Sequence, residues 1–422
     1  MKKFVTILII IIITFLLALG VYYWFSAREE GTVIDGDNTE ISIIQKFNPF
    51  NRSSANTTTD NTIPETIIED QIPTNDDDTV IPILRKISEE PIGGYIASTT
   101  ASSTIVRYID RGTGHIYEAK DDTNIIEKLS NTTIPRVYES YWNNTADASI
   151  MRYMKEGTSV ITNLYGEINL SSKTASTTDR TPYETNGRII SSNIKELAIS
   201  PKGDRVFTFN IEDGAGIGYI SNMDGSKNTK IWDTPLTLMN VDWPEENTLI
   251  ATTKATGASY GYSYFINAKT GVSNKILGGI VGLSTKASGD AENVLFSSGN
   301  NQNTISTFVY NKKDNNSKSI IFKTLAEKCV WSKISKNEIY CAVPSEFPTG
   351  MYPDDWYKGN VSLIDKIWHL NIDTGEVHLI ADLFDLSKKF IDVVDMRLDP
   401  EENFLYFVNK NDLTLWSLDL NR

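Results

Sequence analysis

Short runs of alternating apolar and polar residues, each followed by a turn, recur along most of the chain. The clearest example is residues 197–210, LAISPKGDRVFTFN. There Leu197 and Ile199 alternate with smaller or polar residues before a Pro-Lys-Gly-Asp turn and a second β-prone run. Alternation with a period of two predicts a half-buried strand, and the turn residues predict a tight reversal between two strands. This segment is therefore predicted to be a β-hairpin.

Equivalents of this hairpin recur at seven places. The residue before each turn serves as a marker, giving Ser98, Asn143, Ser200, Trp243, Ser284, Ser332 and Asp399. Four of the six intervals between markers are 41 to 48 residues long, and the two longer ones contain the segments 171–187 and 344–365, which are predicted to be insertions. A repeat of about 40–45 residues with four short strands is typical of a propeller blade. The pattern predicts an all-β, seven-bladed β-propeller, with six or eight blades as alternatives.

The last blade is predicted to be completed by the beginning of the domain. The chain ends in LTLWSLDL, which supplies only a third strand for that blade. Residues 83–88, ILRKIS, resemble residues 126–130, IEKLS, which form the predicted outer strand of another blade. A strand from residues 83–88 would close the ring and leave no free sheet edge at the junction.

The N-terminal 25 residues are predicted to form a cytoplasmic stub and a transmembrane signal-anchor helix. Residues 4–25 carry no charge, are largely apolar, and are long enough to cross a hydrocarbon core of about 30 Å. Tyr22, Tyr23 and Trp24 stand where interfacial aromatic residues are common, and Lys2 and Lys3 precede the span. The chain is therefore expected to be anchored in the cell membrane with its C-terminal part outside. The alternative is a cleaved signal peptide, whose apolar core is usually shorter.

Residues 26–79 are predicted to be a flexible tether, and residues 80–422 the propeller domain. The tether is rich in Thr, Asn and Asp and contains twelve acidic and three basic residues, a net charge of −9 within the total of −14. Such a composition provides no material for a core. Because the rest of the chain is also acidic, no nucleic-acid partner is expected.

The two cysteines are predicted to form a disulfide. Cys329 and Cys341 are symmetric about the turn of the hairpin VWSKISKNEIYCA, so they should lie opposite each other on neighbouring strands. That separation is close to disulfide reach, and an extracytoplasmic location favours the bridge. The alternative is two buried free thiols.

The hairpins resemble a known class of repeat. LAISPKGDRVFTF followed by ISNMDGSKNTKIW is similar to the TolB-like and WD40-like propeller repeats of bacterial envelope proteins, in which an aromatic-Ser-Pro-Asp-Gly turn precedes an Asp-Gly-Ser turn. The resemblance covers residues 80–422 and implies a binding platform in the cell envelope. This chain carries a predicted anchor and tether in place of the α/β domain of TolB-type proteins, so the partner choice and trans-envelope function of those proteins do not carry over. No individual functional residue is implied either.

Two motifs in the chain match catalytic or metal-binding patterns only in part. Residues 257–261 match G-x-S-x-G, but a β-prone run follows where a nucleophile elbow requires a helix. His369 and His378 flank a turn and could face each other, yet two imidazoles make an incomplete zinc site. The sequence therefore predicts no catalytic constellation, no metal site and no cofactor.

The predicted binding residues lie in the insertion at 344–365, PSEFPTGMYPDDWYKGNVSLID. An insertion of this length in a compact blade is often functional, and aromatic side chains dominate protein interfaces. The binding residues predicted in it are Tyr352, Asp354, Asp355, Trp356 and Tyr357. The alternative is that the insertion packs down and plugs the propeller channel.

Two classes of function follow. The first is a non-enzymatic binding or scaffold protein in the bacterial cell envelope, with a protein, peptide or glycan partner. The second is an envelope hydrolase or lyase that uses the propeller channel, since the fold alone does not determine function. Perturbed carboxylates and arginines in the channel would favour the second class.

Overall fold

The computed structural model describes residues 81–99, 103–168, 185–191, 194–299 and 304–422. A single short strand, β1 (Leu84–Lys86), precedes the first blade. Blades 1 and 2 consist of β2 (Ile92–Thr99), β3 (Thr104–Asp110), β4 (Ile116–Lys120), β5 (Ile126–Lys128), β6 (Val137–Trp142), β7 (Ala148–Met154), β8 (Ile161–Ile168) and β9 (Thr185–Ser191). Blades 3 and 4 consist of β10 (Ile194–Ile199), β11 (Arg205–Glu212), β12 (Ala215–Asn222), β13 (Thr229–Thr234), β14 (Met239–Glu245), β15 (Thr248–Thr253), β16 (Tyr260–Asn267) and β17 (Ser273–Val281).

The remaining three blades carry the short helices. Blades 5 and 6 consist of β18 (Ser284–Ala287), β19 (Asn293–Gly299), β20 (Ile305–Asn311), β21 (Asn316–Ser319), β22 (Cys329–Trp331), β23 (Glu338–Pro344), β24 (Asp365–Asn371) and β25 (Val377–Asp382). Blade 7 contains β26 (Val393–Leu398), β27 (Phe404–Asn409) and β28 (Thr414–Asp419). The helices are a 3₁₀ turn (Ala326–Lys328), α1 (Asp354–Tyr357) and α2 (Leu383–Ser387).

The described residues thus form seven sheets of four antiparallel strands, and the prediction of an all-β, seven-bladed propeller is confirmed. The strand that closes the ring is the predicted one. In the seventh sheet β1 pairs with β28, with Leu84 opposite Leu418 and Lys86 opposite Trp416. The backbone N–H of Ile87 extends the contact by donating to the Leu415 carbonyl oxygen at 2.7 Å.

The recurring hairpin marker has a physical cause. In blade 3 the hydroxyl oxygen of Ser200 accepts a hydrogen bond from the backbone N–H of Arg205 at 3.0 Å, across the turn. In the same way, the side-chain oxygen of Asp399 in blade 7 accepts a hydrogen bond at 2.7 Å from the backbone N–H of Phe404, five residues further on. A short polar side chain at this position satisfies a backbone donor that the turn leaves free, which favours Ser, Asp or Asn there.

One marker was placed wrongly. In blade 5 the turn begins at Ser288, whose hydroxyl accepts from Asn293 N at 3.0 Å, whereas Ser284 begins the inner strand β18. The segment GLSTKASGDAEN contains two serines, and the prediction placed the marker at the first of them. The blade count is unaffected, because both serines belong to the same blade.

The core lies between neighbouring blades. Each sheet packs the apolar side chains of its two faces against the next sheet, and Phe207 and Phe209 on the central strand β11 are fully buried between blades 3 and 4. Burial of an aromatic side chain is worth roughly 2–3 kcal/mol. Gly203 in the blade 3 turn has φ +74°, and a Cβ there would lie 2.5 Å from the Asn144 backbone nitrogen of blade 2. The turn therefore requires glycine for both its conformation and its packing.

The predicted disulfide is present. Cys329 on β22 lies directly opposite Cys341 on β23, and their sulfur atoms are bonded. Both residues are buried.

The propeller has two faces, which differ in their connections. The capped face carries the connections between second and third strands and between blades, including residues 254–259, 344–365 and 383–392. The turn face carries the hairpins between first and second and between third and fourth strands, including residues 200–204. This division follows from the antiparallel order within each sheet.

The predicted transmembrane span at 4–25 and the tether at 26–79 lie outside the described residues. Among the residues that are described, no helix is long and apolar enough to cross a membrane.

Candidate functional site

The insertion at 344–365 lies on the capped face, and its Trp356 lines the channel. It leaves blade 6 after β23, forms the short helix α1, and returns to β24. The buried residues Tyr352, Trp356 and Leu363 pack in one cluster with Ile305 of blade 5. The insertion is called the cap below, because it contacts blades 4 and 5 and the connection into blade 7 as well as its own blade 6.

Trp356 is the centre of the cap. Its side chain is 2% exposed, and its indole N–H donates to Asp392 Oδ1 at 3.1 Å and Oδ2 at 2.9 Å, in the connection that leads into blade 7. The ammonium groups of Lys328 and Lys410 lie 4.9 and 5.0 Å from the centre of the indole ring. Both cations are within the range of a cation–π interaction. The indole therefore lies inside the protein and at the wall of the channel.

The two aspartates of the cap serve its own structure. Asp354 accepts hydrogen bonds from Thr256 Oγ1 at 2.7 Å and from the Gly257 backbone N–H at 2.6 Å, which fixes the cap to blade 4. Asp355 accepts from the Met351 backbone N–H at 2.7 Å. Asp354 and Asp355 thus satisfy donors of the protein itself.

Of the five predicted binding residues, only Tyr357 keeps an exposed side chain, at 40%. Tyr352 is fully buried, and its hydroxyl donates to the Pro348 carbonyl oxygen at 2.8 Å. The burial of Tyr352 and Trp356 favours the alternative that the insertion plugs the channel. A role of the five residues in partner binding stays a prediction.

A buried ion cluster lies beneath the cap. Lys328 Nζ lies 2.8 Å from Asp365 Oδ2 and 2.6 Å from Asp392 Oδ1, and all three side chains are fully buried. Burial lowers the pKa of Lys328, but the charges of Asp365 and Asp392 outweigh burial and raise it overall. Burial raises the pKa of Asp365 despite the neighbouring ammonium. The cluster joins the 3₁₀ turn of blade 6, the end of the cap and the start of blade 7.

The channel is a cavity of about 610 Å³, lined by the inner strands of all seven blades and by Trp356. Burial raises the pKa of Glu327, whose carboxylate accepts a hydrogen bond from the Tyr357 hydroxyl at 2.5 Å. Charges of both signs face the cavity, so it suits a polar occupant better than an apolar one. The charged side chains among its lining residues are Glu196, Asp242, Lys286, Glu327, Lys333, Asp395 and Arg397.

The capped face also exposes large apolar side chains, all but one of them, Tyr357, outside the cap. Nine of the sixteen large apolar side chains that are exposed among the described residues lie on this face, against five on the turn face. Phe384 and Phe390, in the connection from blade 6 to blade 7, stack with ring centres 5.2 Å apart. The nine are Met154, Val160, Leu238, Tyr260, Ile321, Tyr357, Phe384, Leu386 and Phe390.

Sequence reasoning did not single out this surface. The segment ADLFDLSKKFIDVV could have indicated it, because Phe384, Leu386 and Phe390 alternate with acidic and basic residues in a connection between blades. Only Leu383 among the α2 side chains is buried.

The other sequence motifs do not combine into a reactive site. Residues 257–261 span the turn into β16 and its first residues, with a strand where a nucleophile elbow has a helix. His369 and His378 are directly opposite on β24 and β25, with ring centres 6.1 Å apart. Within the described ranges, no group of three or more His, Cys, Asp or Glu side chains is arranged to bind a metal ion.

No known protein family matches the chain, and no curated protein matches it. Solved structures do. The β-propeller domain of the Trilobed protease from Pyrococcus furiosus is 13% identical, with 78% of this chain and 95% of that chain covered and a TM-score of 0.48. Oligogalacturonate lyase in complex with manganese is 10% identical, with 78% and 96% covered and a TM-score of 0.48. TolB from Acinetobacter baumannii is 11% identical, with 67% and 81% covered and a TM-score of 0.40.

These similarities concern the propeller fold alone. TolB is among the matching structures, and the seven four-stranded sheets of the described residues fit the TolB-like propeller expected from the sequence. A fold of this kind hosts many functions.

Proposed function

We propose that this protein is a membrane-anchored, extracytoplasmic propeller that binds a partner protein through its capped face and acts as a non-enzymatic scaffold in the bacterial cell envelope. The observation that carries the proposal is the concentration of exposed apolar side chains on that face. The uncharged span at 4–25 and the acidic tether at 26–79 support the location.

Exposed aromatic side chains on a rigid framework are the usual anchors of protein interfaces. Tyr260 is 64% exposed at the start of β16, and Phe390 is 61% exposed beside the stacked ring of Phe384. Aromatic side chains lose little entropy on binding, and clustered apolar surface on an otherwise polar protein marks interaction sites. Tyr357, the exposed aromatic residue of the cap, lies on the same face and would extend the surface.

Site-specific photocrosslinking tests the proposal. A photoreactive amino acid replaces Tyr260 or Phe390 in the full-length protein in its own cells, and the matched controls replace Val272 or Ile334 on the turn face. The control side chains are similarly exposed, at 59% and 69%. We expect one protein to be captured from Tyr260 and Phe390 and not from the controls. Equal capture from the two faces, or capture from the turn face alone, would contradict the proposal.

One observation favours the second candidate function, an envelope hydrolase or lyase that uses the channel. Glu327 faces the channel, and burial raises its pKa, as is common for a general acid. A hydrolase or lyase would cleave its substrate. Incubation with isolated envelope polymers would then release soluble fragments, and Glu327→Gln would abolish the release.

A further inference from the structure

The ring is closed at the seam between blades 7 and 1, and side chains from both blades cross that seam. The buried Arg85 on β1 donates from Nη1 to the Lys120 carbonyl oxygen of blade 1 at 3.0 Å. The hydroxyl of Tyr95 on β2 lies within hydrogen-bond distance, 3.1 Å, of the Tyr406 carbonyl oxygen of blade 7. One apolar cluster fills the space between the two blades. These contacts hold the N-terminal strand and the last blade to the rest of the ring.

Asp121 places a carboxyl group in this seam. It follows β4 in a turn of blade 1, and its Oδ1 accepts a hydrogen bond from the hydroxyl of Tyr406, a fully buried residue of blade 7. Its Oδ2 is buried as well and has no hydrogen-bond partner in the part of the chain that the structure describes. A buried charge is costly unless the protein replaces the water that would solvate it. The ionised form of Asp121 is therefore poorly accommodated between the two blades.

The charged groups around Asp121 do not compensate this cost. Burial has the largest effect and raises the pKa of Asp121 to about 6, although the neighbouring Tyr406 and Thr104 hydroxyls favour the ionised form. The charge of Arg85 also favours ionisation, but its effect is smaller than the opposing effect of Asp399 in the turn of blade 7. The pocket that Asp121 lines contains three further carboxylates and one guanidinium group, from Asp122, Glu401, Asp419 and Arg422.

We propose that Asp121 makes the closure of the ring sensitive to pH, so that the seam between blades 7 and 1 is tighter in acidic than in neutral surroundings. Protonation removes the charge from the interface, and the neutral carboxyl group can still accept the hydrogen bond from Tyr406. A carboxyl group with a raised folded-state pKa contributes stability below the unfolded value, about 3.9 for Asp. That stability is lost as the pH rises through about 6. This property of the fold is independent of partner binding on the capped face and goes beyond the function proposed above.

Denaturant unfolding of the full-length protein in detergent micelles, at pH 5 and pH 7.5, tests the proposal. The variant Asp121→Asn has no charge at this position at either pH. The ratio of the unfolding equilibrium constants of the unmodified protein and the variant isolates Asp121, because the other groups titrate in both. We expect the ratio to fall by about tenfold from pH 7.5 to pH 5, as proton linkage requires for this shift. Asp122→Asn, at the exposed neighbouring position, is the matched control and should give a ratio that does not change.

Hydrogen exchange of the unmodified protein needs no variant and separates the seam from the rest of the ring. After correction for the intrinsic exchange rates, the protection of residues 84–88 and 404–409 should fall from pH 5 to pH 7.5 relative to that of β15 in blade 4. In Asp121→Asn this relative fall should disappear. Seam protection that follows β15 at both pH values would overturn the proposal, as would an unfolding ratio that is the same at pH 5 and pH 7.5.

Discussion

Replacing Lys328 by Met tests whether the buried ion cluster fixes the cap. The substitution keeps the length and apolar part of the side chain and removes the ammonium group that lies 2.8 Å from Asp365 and 2.6 Å from Asp392. Two fully buried carboxylates then lie close together without the ammonium group that bridged them. Asp365 has fewer other hydrogen-bond donors to stabilise its charge than Asp392 has, because its Oδ1 has no hydrogen-bond partner among the described residues.

The magnitude follows from burial. Removing one member of a buried ion pair costs about 3–5 kcal/mol, because the remaining charge is left uncompensated. Part of that cost would be avoided by protonation of an aspartate. The melting temperature should therefore fall by several degrees. Lys336→Met removes an exposed ion pair, in which Lys336 lies 2.9 Å from Asp290, and serves as the control; it should change the melting temperature little.

The pH dependence identifies the cause. Burial already raises the pKa of Asp365 above that of the unfolded chain, and loss of the ammonium group raises it further. A group with a raised folded-state pKa contributes stability below the unfolded pKa, of about 3.9 for Asp, and loses it as the pH rises through the folded value. The deficit of Lys328→Met should accordingly shrink as the pH is lowered towards that of ordinary carboxylates.

The assay combines denaturant unfolding with hydrogen exchange. Unfolding curves are recorded from pH 5 to 8, about the range in which most proteins are most stable. They give the loss of unfolding free energy in Lys328→Met at each pH. Hydrogen exchange of residues 344–365 reports whether the cap opens before the ring unfolds. The triple variant Lys328→Met/Asp365→Asn/Asp392→Asn should recover much of the loss, since it removes the charges together. A deficit that does not change with pH, or one that the triple variant does not reduce, would refute the reasoning.

Two further predictions concern closure and topology. Deleting residues 1–88 removes β1 together with Ile87 and Ser88, which are both buried against blade 7. The melting temperature should fall well below that of a protein lacking only residues 1–79. Equal melting temperatures for the two proteins would contradict the closure of the ring by β1. The protein should also remain membrane-bound with its C-terminus outside, so protease added to cells with a permeable outer layer should digest the propeller. A shortened, soluble form in the culture medium would indicate cleavage of the N-terminal segment instead.

The blades could be predicted from the sequence because their determinants are local. The marker at Ser200 and the one at Asp399 each satisfy a backbone donor five residues away, so a single hairpin contains both the signal and its cause. Closure was also predictable, since a truncated last blade requires a strand from elsewhere. The disulfide required only the symmetry of Cys329 and Cys341 about one turn. The blade 5 marker shifted by four residues because two serines compete within one segment, and only the backbone pairing distinguishes them.

The role of the cap could not be predicted, because its determinants lie far apart in the chain. A plug and an interface loop can both be rich in aromatic residues and prolines, so composition does not distinguish them. What distinguishes the two is the partner of Trp356, and that partner is Asp392, 36 residues later, in a connection whose sequence has no feature that indicates burial. The cation that compensates Asp392 is Lys328, 64 residues before it. Tyr352 and Trp356 are buried because these three segments meet beneath them. The apolar surface that stays exposed on this face comes from other side chains, such as Phe390.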